Sequence, residues 1–367
     1  MRDFSYQKID RTVLFKKLDW VVGKRLIKFL PSVCDKEFDL KDLSKILIIR
    51  PGGLGDGVLL LPSILLLKKR YPHIQIHILA EKRNASVFEL VHFINKKEIF
   101  LYHKISHLYK VFSQRYDVVV DTEQWHYLSA ILAFFIKARY KIGFASNERM
   151  KLFHFKVPYS QKEYEVLSFL KLFKPILKDI DFDFTSSFLK VRKKAQKDQY
   201  VVLFPGATVK ERMWPKENFK EIADWLDKKG IKVVVVGGRS EVKLGEYIVQ
   251  DTLKGINLAN KTSLKETAEI LANSRLLLTV DSGIMHLAFA VGTPVVALFG
   301  PGIEEKWAPK GKNSIVINKH LPCSPCTKFG YTPPCVDNRC MKEISVKEVK
   351  EAIDAIFCKT HSSCALD

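Results

Sequence analysis

Two short turns carry acidic and hydroxyl side chains directly after runs of apolar residues. One turn contains Gly53, Gly55 and Asp56, and the other contains Asp281, Ser282 and Gly283. An apolar helical pattern follows the second turn, and free backbone amides at a helix start bind anions. The second turn is therefore a candidate phosphate site. Asp281 and Ser282 could instead act only as the N-cap of that helix, which is the common use of these residue types.

Other polar residues follow strands in the same half of the chain. Thr208 offers a hydroxyl, Arg212 offers a guanidinium fork suited to a pyrophosphate, and Glu241 can accept from ribose hydroxyls. His286 falls one turn after the phosphate turn and could brace it. Taken singly, Arg212 is better explained as a solvated loop charge and His286 as a hydrogen-bonded packing residue. Taken together on the carboxyl-end loops of one sheet, these residues predict a nucleotide-sugar site.

The first turn resembles a dinucleotide fingerprint, with Glu81 at the position of a ribose-binding acid. The third glycine of that fingerprint is missing, however, and Asp56 stands where a pyrophosphate would dock. A carboxylate there would repel the phosphates by about 1–4 kcal/mol. Asp56 is better suited to act as a base, or simply as an N-cap. A nicotinamide-dependent oxidoreductase therefore stays an alternative, against which Asp56 argues.

Alternating apolar strands and helices predict the architecture that must position these turns. Strands at 45–50, 74–79 and 116–120 and a helix at 58–70 form a first unit, and strands at 200–204, 232–236, 276–280 and 294–299 form a second. We predict an α/β protein with two doubly wound, Rossmann-like domains, 45–185 and 196–345, facing across a cleft. Residues 346–367 form a last helix and tail, and one placement for that helix is across the first domain.

Residues 1–44 form a basic N-terminal extension. Its segment 11–30 has apolar residues at helical spacing with lysines and arginines between them, as in helices that lie on anionic membranes. A helix packed on the protein's own body is an equally good interpretation. The whole chain carries a net charge of +20, from 60 basic and 40 acidic residues. This excess favours anionic partners and leaves open a third hypothesis, a non-catalytic binder of anionic lipid or nucleic acid.

A nucleotide-sugar on one domain and a lone aspartate on the facing domain indicate glycosyl transfer. Asp56 would take the acceptor's proton, and Arg212 with the helix dipoles would stabilise the departing phosphate in place of a metal ion. The sequence 179–183 contains D-x-D patterns that could hold a metal, but it lies in the linker and not after a strand. No apolar run is as long as a membrane span, so the cytosol is the expected compartment.

Four of the seven cysteines lie within eighteen residues, at Cys323, Cys326, Cys335 and Cys340. A C-x₂-C pair followed by C-x₄-C in a cytosolic chain is typical of a structural zinc site. Two disulfides or four reduced thiols are the alternatives, and reduced thiols are common in the cytosol.

Three motifs together resemble the family 9 glycosyltransferases, the heptosyltransferases of the lipopolysaccharide inner core. They are Gly53-Leu54-Gly55-Asp56, Pro205-Gly206-Ala207 with Arg212 and Trp214-Pro215, and Val280 to Ala288. The resemblance covers roughly residues 45–355. It implies a GT-B fold and an inverting transfer from ADP-heptose that requires no metal cofactor.

The resemblance also implies roles for individual residues. Asp56 would be the base, and the donor would contact Thr208, Arg212, Glu241, Asp281, Ser282, Gly283 and His286. Gly53, Gly55, Asp121, Gln124 and Arg139 would lie toward a lipid-linked glycan acceptor. The enzyme would work at the cytoplasmic face of the inner membrane, peripherally bound, with no nucleic-acid partner.

Overall fold

The computed structural model describes residues 19–37, 39, 43–194, 200–328 and 331–360. The first parallel sheet contains β1 (Lys45–Arg50), β2 (Gln75–Ala80), β3 (Ile99–Leu101), β4 (Tyr116–Asp121), β5 (Ala138–Phe144) and β6 (Phe155–Val157). The second contains β7 (Tyr200–Phe204), β8 (Lys232–Val235), β9 (Ile256–Asn257), β10 (Leu276–Val280), β11 (Val295–Phe299) and β12 (Ser314–Asn318).

Helices cover both sheets. In the first half they are α1 (Lys24–Phe29), α2 (Leu54–Arg70), α3 (Ala85–Phe88), α4 (Ile105–Phe112), α5 (Tyr127–Phe135) and α6 (Glu165–Leu177). In the second half they are α7 (Lys216–Lys228), α8 (Val242–Val249), α9 (Leu264–Asn273), α10 (Gly283–Val291), α11 (Glu304–Trp307), α12 (Arg339–Lys342) and α13 (Val346–Thr360). No helix among these described residues is both long enough and apolar enough to cross a membrane.

The two sheets share one topology. Their strand orders are β3-β2-β1-β4-β5-β6 and β12-β11-β10-β7-β8-β9. Counted within its own half, each is the 3-2-1-4-5-6 order of a dinucleotide-binding sheet. The order reverses between β1 and β4 and between β7 and β10, and ligands bind such sheets outside the carboxyl ends at that point. The predicted α/β class with two doubly wound domains across a cleft, the GT-B arrangement, is confirmed.

The central strands are apolar on both faces because helices cover both. Ile46, Leu47, Ile48 and Ile49 of β1 are all fully buried, as expected in a parallel sheet. The turn after β1 differs from the prediction, since α2 begins at Leu54 rather than at residue 58. Asp56 therefore lies in the first turn of the helix and not in the loop before it.

The domains meet where α2 and α10 begin. A Cβ built on Gly55 would lie 2.7 Å from His286 Cδ2 and 3.3 Å from Gly283 Cα, and one built on Gly283 would lie 3.0 Å from the nitrogen of Gly55. These distances are shorter than van der Waals contact, so only glycine allows the two helix ends to approach so closely. The geometry of the cleft depends on this contact.

The last helix packs on the second domain. Val349, Ile353 and Ile356 of α13 are buried in one core with Val233 and Val296, and Lys350 Nζ lies 2.8 Å from Glu221 Oε1 of α7. The placement across the first domain is therefore wrong. The sequence pattern does not show which sheet the helix packs on, because an amphipathic helix can cover any exposed apolar sheet face. In the structure α13 packs beside β11 and β12.

The basic helix is described from residue 19 onward, and its first part, 11–18, lies outside the described residues. A π-helical turn at Asp19–Gly23 continues into α1. Ile27 is 1% exposed and packs in a core with Ile131. One side of this helix is therefore packed on the protein's own body, while Phe29 is 86% exposed.

Substitution of Gly55 by alanine tests the glycine contact. The added methyl group would force His286 or the backbone of Gly283 to shift, so we expect a loss of about 1–3 kcal/mol in the free energy of unfolding. Gly57→Ala is the matched control in the same helix, because its Cβ would meet Val87 at an ordinary 3.4 Å. Denaturant unfolding measures both. A Gly55→Ala protein as stable as Gly57→Ala would contradict the tight contact.

Candidate active site

Asp56 lies at the inner side of the cleft. Its Oδ2 accepts from the nitrogen of Gly53 at 3.2 Å, so the residue does close the first turn of α2 as an N-cap would. The position of a Cβ on Gly52 lies 2.8 Å from Arg50 Nη2 and 3.3 Å from Asp56 Oδ2, which places the guanidinium beside the carboxylate. Burial disfavours the charge on Arg50, but Asp56 and Glu123 outweigh it and raise the pKa of Arg50. Arg50 is therefore a permanent cation next to Asp56.

Arg212 and Asp281 are brought together on the second domain. Arg212 Nη1 lies 3.0 Å from Asp281 Oδ2, with both side chains largely buried. Arg212 Nε and Asp281 Oδ2 have no hydrogen-bond partner among the described residues, so the contact is a poorly aligned ion pair. Ser282 caps α10 and accepts from the nitrogen of Met285 at 3.3 Å. The N-cap interpretation of Ser282 is therefore correct, and it leaves the amide end of α10 beside a guanidinium.

His286 stands between the two sets of charges. Burial lowers its pKa to about 4, while Asp281 and Asp56 act to raise that pKa and Arg212 to lower it. The imidazole is therefore neutral near pH 7. Because all three charged groups act on one buried ring that touches Gly55, the acid of the first domain and the cation of the second lie at one place. Asp56 does not face outward.

A cavity of about 410 Å³ opens beside this group. Predicted donor residues line it at Thr208, Glu241, Ser282 and Gly283, and the first domain adds Leu54 and Ser86. The volume falls within the range of small-molecule sites. Arg212, Asp281 and His286 do not line this cavity, but Asp281 precedes Ser282 and Gly283, which do.

Glu241 and nearby hydroxyls form the far wall of the cavity. Glu241 accepts from the nitrogen of Gly238 at 2.7 Å and from Ser240 Oγ at 2.7 Å. Thr262 and Thr267 share a hydrogen bond of 2.9 Å between their hydroxyls and also line the cavity. Neither threonine was predicted as a site residue. Their only sequence signal is their place beside Ser263, which caps α9.

The acceptor-side predictions for Asp121, Arg139 and Gly55 need correction. Asp121 is fully buried and forms an ion pair with Arg149, so it does not face the cleft. Arg139 starts β5, at the amino edge of the sheet, where it is exposed and lies 3.9 Å from Asp39. That edge is opposite the cleft, and the sequence could not show this because the strand at 138–144 was not recognised. Gly55 does not face an open acceptor site, because His286 lies against it.

Gln124 is buried rather than open to the cleft. Its Nε2 donates to Glu165 Oε1 at 2.6 Å, and Arg50 Nη2 donates to its Oε1 at 3.4 Å. Glu165 is paired in turn with Lys306 of the second domain at 2.6 Å. Sequence analysis missed Arg50, Glu165 and Lys306. Only Arg50 offered a signal, as a charged residue that ends an apolar strand.

Glu81 serves the first turn and not a ribose. Its Oε1 accepts from the nitrogen of Gly52 at 3.0 Å, and its Oε2 lies 2.7 Å from Arg83 Nε. Glu81 therefore holds the loop that precedes the helix turn with Asp56. This removes the feature that had favoured a nicotinamide cofactor on the first domain.

The four clustered cysteines are neighbours. Burial, together with the nearby Cys323, Cys326 and Cys335, raises the pKa of the Cys340 thiol to about 11. In the described part of the chain, however, no three cysteine, histidine or acidic side chains stand as one ligand set. Cys335 Sγ instead donates to the carbonyl of Asp337 at 3.2 Å. A metal would require at least this side chain to turn.

The cysteine segment packs against the loop after β11. Ser324 Oγ donates to the carbonyl of Gly300, and the nitrogen of Cys326 donates to Pro301 at 3.1 Å. Gly302, the residue after Pro301, lies so close to Asp281 Oδ2 that a Cβ at this position would clash with it. The segment therefore supports the loop that packs on Asp281.

Comparison with known proteins agrees with this geometry. The sequence profile of glycosyltransferase family 9 (heptosyltransferase) matches residues 105–335. Lipooligosaccharide heptosyltransferase 2 of Campylobacter jejuni is 25% identical over 333 residues, covering 86% of this chain and 99% of that protein.

Two solved structures from Escherichia coli have the same fold. ADP-heptose lps heptosyltransferase II superimposes with a TM-score of 0.70 at 21% identity, covering 86% of this chain and 99% of that one. Heptosyltransferase WaaC with ADP-2-deoxy-2-fluoro heptose gives 0.67 at 18%, covering 85% and 99%. The family match spans more than half of the sequence, so this chain belongs to glycosyltransferase family 9 and is a glycosyltransferase.

Proposed function

We propose that the protein transfers a heptose from ADP-heptose to a lipopolysaccharide-type acceptor with inversion at the anomeric carbon. The observation that carries the proposal is the packing of His286 against Gly55, the residue before Asp56. This contact brings Asp56 near the paired Arg212 and Asp281 of the second domain, next to a cavity of about 410 Å³. The relatives described above are named as heptosyltransferases, and one solved structure holds an ADP-heptose analogue. These names support heptose and adenine over other sugars and bases.

Asp56 is the base of the proposed transfer. The acceptor hydroxyl attacks the anomeric carbon from the face opposite the diphosphate, its proton passes to an oxygen of Asp56, and the bond from carbon to phosphate oxygen breaks. One direct displacement inverts the configuration, and it needs only one carboxylate on the acceptor side. Because Asp56 Oδ2 also accepts from Gly53, the carboxylate is held in a fixed orientation before the acceptor arrives.

Arg212 and the start of α10 stabilise the departing diphosphate. A buried donor without a partner is costly, and the Nε of Arg212 is such a donor. A phosphate oxygen would satisfy it and would also meet the free amides of the helix start. Positive charge at this position supplies what a divalent cation supplies in metal-dependent transferases. We therefore propose that the transfer itself requires no metal cofactor.

The enzyme is proposed to bind peripherally to the cytoplasmic face of the inner membrane, where a lipid-linked acceptor would be met. Helices α1, α4 and α5 share one core with β1, so they cover one face of the first sheet. The outside of this layer, here called the apolar face, carries exposed side chains at Trp20, Leu26, Phe29, Ile105, Tyr109 and Phe135. Lys24, Arg25 and Lys28 lie among them, a combination suited to anionic lipid.

A structural zinc ion is proposed separately for Cys323, Cys326, Cys335 and Cys340. The proposal is supported by their C-x₂-C and C-x₄-C spacing and by the closeness of the four thiols. The ion would tie the segment that supports the loop at Gly300–Gly302, and no step of the transfer passes through it.

Asp56→Asn tests the proposed base. Asparagine keeps an oxygen that can accept from Gly53 but cannot take a proton, so kcat should fall by about 10²–10⁴. Transfer from ADP-heptose to heptose-deficient lipopolysaccharide measures kcat, and thermal shift with ADP-heptose measures binding, which should persist. Asp39→Asn, an exposed carboxylate at the opposite edge, is the control. Normal turnover in Asp56→Asn would remove Asp56 from the mechanism.

Charge removal on α1 tests the membrane surface. At about 1 kcal/mol per basic residue near an anionic bilayer, the triple variant Lys24→Gln, Arg25→Gln, Lys28→Gln should bind phosphatidylglycerol vesicles about a hundredfold more weakly. Sedimentation with vesicles measures this. The control removes Lys228, Lys243 and Lys254 from the second domain in the same way. Equal losses in both triple variants would mean that net charge acts without a defined surface.

Elemental analysis tests the zinc site. Protein prepared without chelator should contain about one zinc per chain, and the double variant Cys323→Ser, Cys335→Ser should lose it. Cys34→Ser with Cys358→Ser is the control and should keep the metal, because both lie outside the cluster. Wild-type protein without zinc would end the proposal.

A further inference from the structure

The loop after β11 reaches from the second domain into the first. It carries Lys306, which is only 2% exposed. Lys306 Nζ lies 2.6 Å from Glu165 Oε2 of α6 and donates to the carbonyls of Ser160 at 3.0 Å and Glu163 at 3.3 Å. An ammonium has three protons, and three oxygens of the first domain take them. Lys306 is therefore not available to bind a donor phosphate.

Glu165 is equally committed. It is fully buried, and besides Lys306 it accepts from Gln124 Nε2 at 2.6 Å and from the hydroxyl of Tyr159 at 3.1 Å. The ring of Tyr159 also lies 4.4 Å from Lys306 Nζ. A lysine and a glutamate are almost never buried unless paired, so each charge requires the other in this arrangement of the domains.

Both residues of the ion pair are connected to the candidate active site through neighbouring side chains. On the second domain, Trp307 follows Lys306, and its ring centroid lies 6.2 Å from that of His286. On the first domain, Gln124 links Glu165 to Arg50, whose guanidinium stands beside Asp56. The pair thus connects the donor-side loop to the group that surrounds the proposed base.

We propose that Lys306 and Glu165 are positioning residues that hold the two domains closed, with Asp56 facing the donor. In an open arrangement water would hydrate both charges, so the pair biases closure without locking it. Loss of one partner leaves the other charge buried and unpaired in the closed state alone, which shifts the population toward the open state. The kinetic test of this inference rests on the proposed function. A second test measures the overall dimensions of the protein and does not depend on activity.

The kinetic test uses Lys306→Met, Glu165→Gln and the double variant. Each single change should lower kcat for transfer from ADP-heptose about tenfold to a hundredfold, while the KM for ADP-heptose stays within about threefold because most of the cavity lining belongs to the second domain. The double variant should be no slower than the slower single variant, since both changes break one interaction. Lys306→Arg keeps the charge and should retain most of kcat.

Lys310→Met is the matched control. Lys310 lies on the same loop and is exposed, with its Nζ 5.6 Å from the ring of Tyr164, so its loss should leave kcat unchanged. If Lys306→Met does not melt cooperatively, Glu165→Gln, which keeps the side-chain size, carries the test. The proposal would be overturned if the losses of kcat in the two single variants multiplied in the double variant. It would also be overturned if kcat were unchanged in the single variants.

Small-angle X-ray scattering provides the readout that does not depend on activity. Lys306→Met and Glu165→Gln should show a larger radius of gyration than the wild type without ligand, and Lys310→Met should not. If the wild type transfers no sugar but the scattering changes as expected, the proposed function fails and the domain-closing role stands. Wild-type scattering in both variants would overturn that role.

Discussion

The contact between Gly55 and Gly283 determines where the two halves of this protein meet. Each glycine lies at the start of a helix, and each helix follows a central strand of its own sheet. Because neither residue has a side chain, the two helix ends touch. The carboxyl edges of two sheets, where such folds bind ligands, therefore face each other at van der Waals distance on one side of the cleft and leave a cavity on the other.

Charge is distributed unequally across this contact. The first domain contributes a network of buried ions in which Arg50 lies 3.6 Å from Glu123 and Arg149 pairs with Asp121. The second domain contributes Arg212 with Asp281. Buried ions are stable only when paired, and most of these are paired within their own domain. Among the described residues, Arg212, Asp281 and His286 each keep a buried polar atom without a hydrogen-bond partner, and a ligand at this place could supply the missing partners.

Sequence analysis located the strands whose apolar runs end in glycine or aspartate, and with them four residues that line the cavity, Thr208, Glu241, Ser282 and Gly283. It failed for residues whose position or role depends on partners that are distant in the sequence. Arg139 was placed at the wrong edge because β5 has charged residues in its first half and was not recognised as a strand. Asp121 looked like an open carboxylate because its partner, Arg149, comes 28 residues later in a 3₁₀ turn. No local pattern could identify Lys306 and Glu165, because the role of each residue depends on the ion pair between them, which forms only in the folded protein.

The two sheets have one topology but opposite chemistry, and the difference comes from single residues in equivalent turns. After β1 the chain places Asp56 in the first turn of a helix, where its carboxylate accepts from the nitrogen of Gly53. After β10, Ser282 caps α10 through the nitrogen of Met285, the first turn contains no acidic residue, and Asp281 just before it is paired with Arg212. A helix start binds either its own carboxylate or a ligand's phosphate. An acid in the first turn repels a phosphate at the start of α2, whereas the first turn of α10 has no such charge, so an anionic ligand is favoured on the second domain over the first.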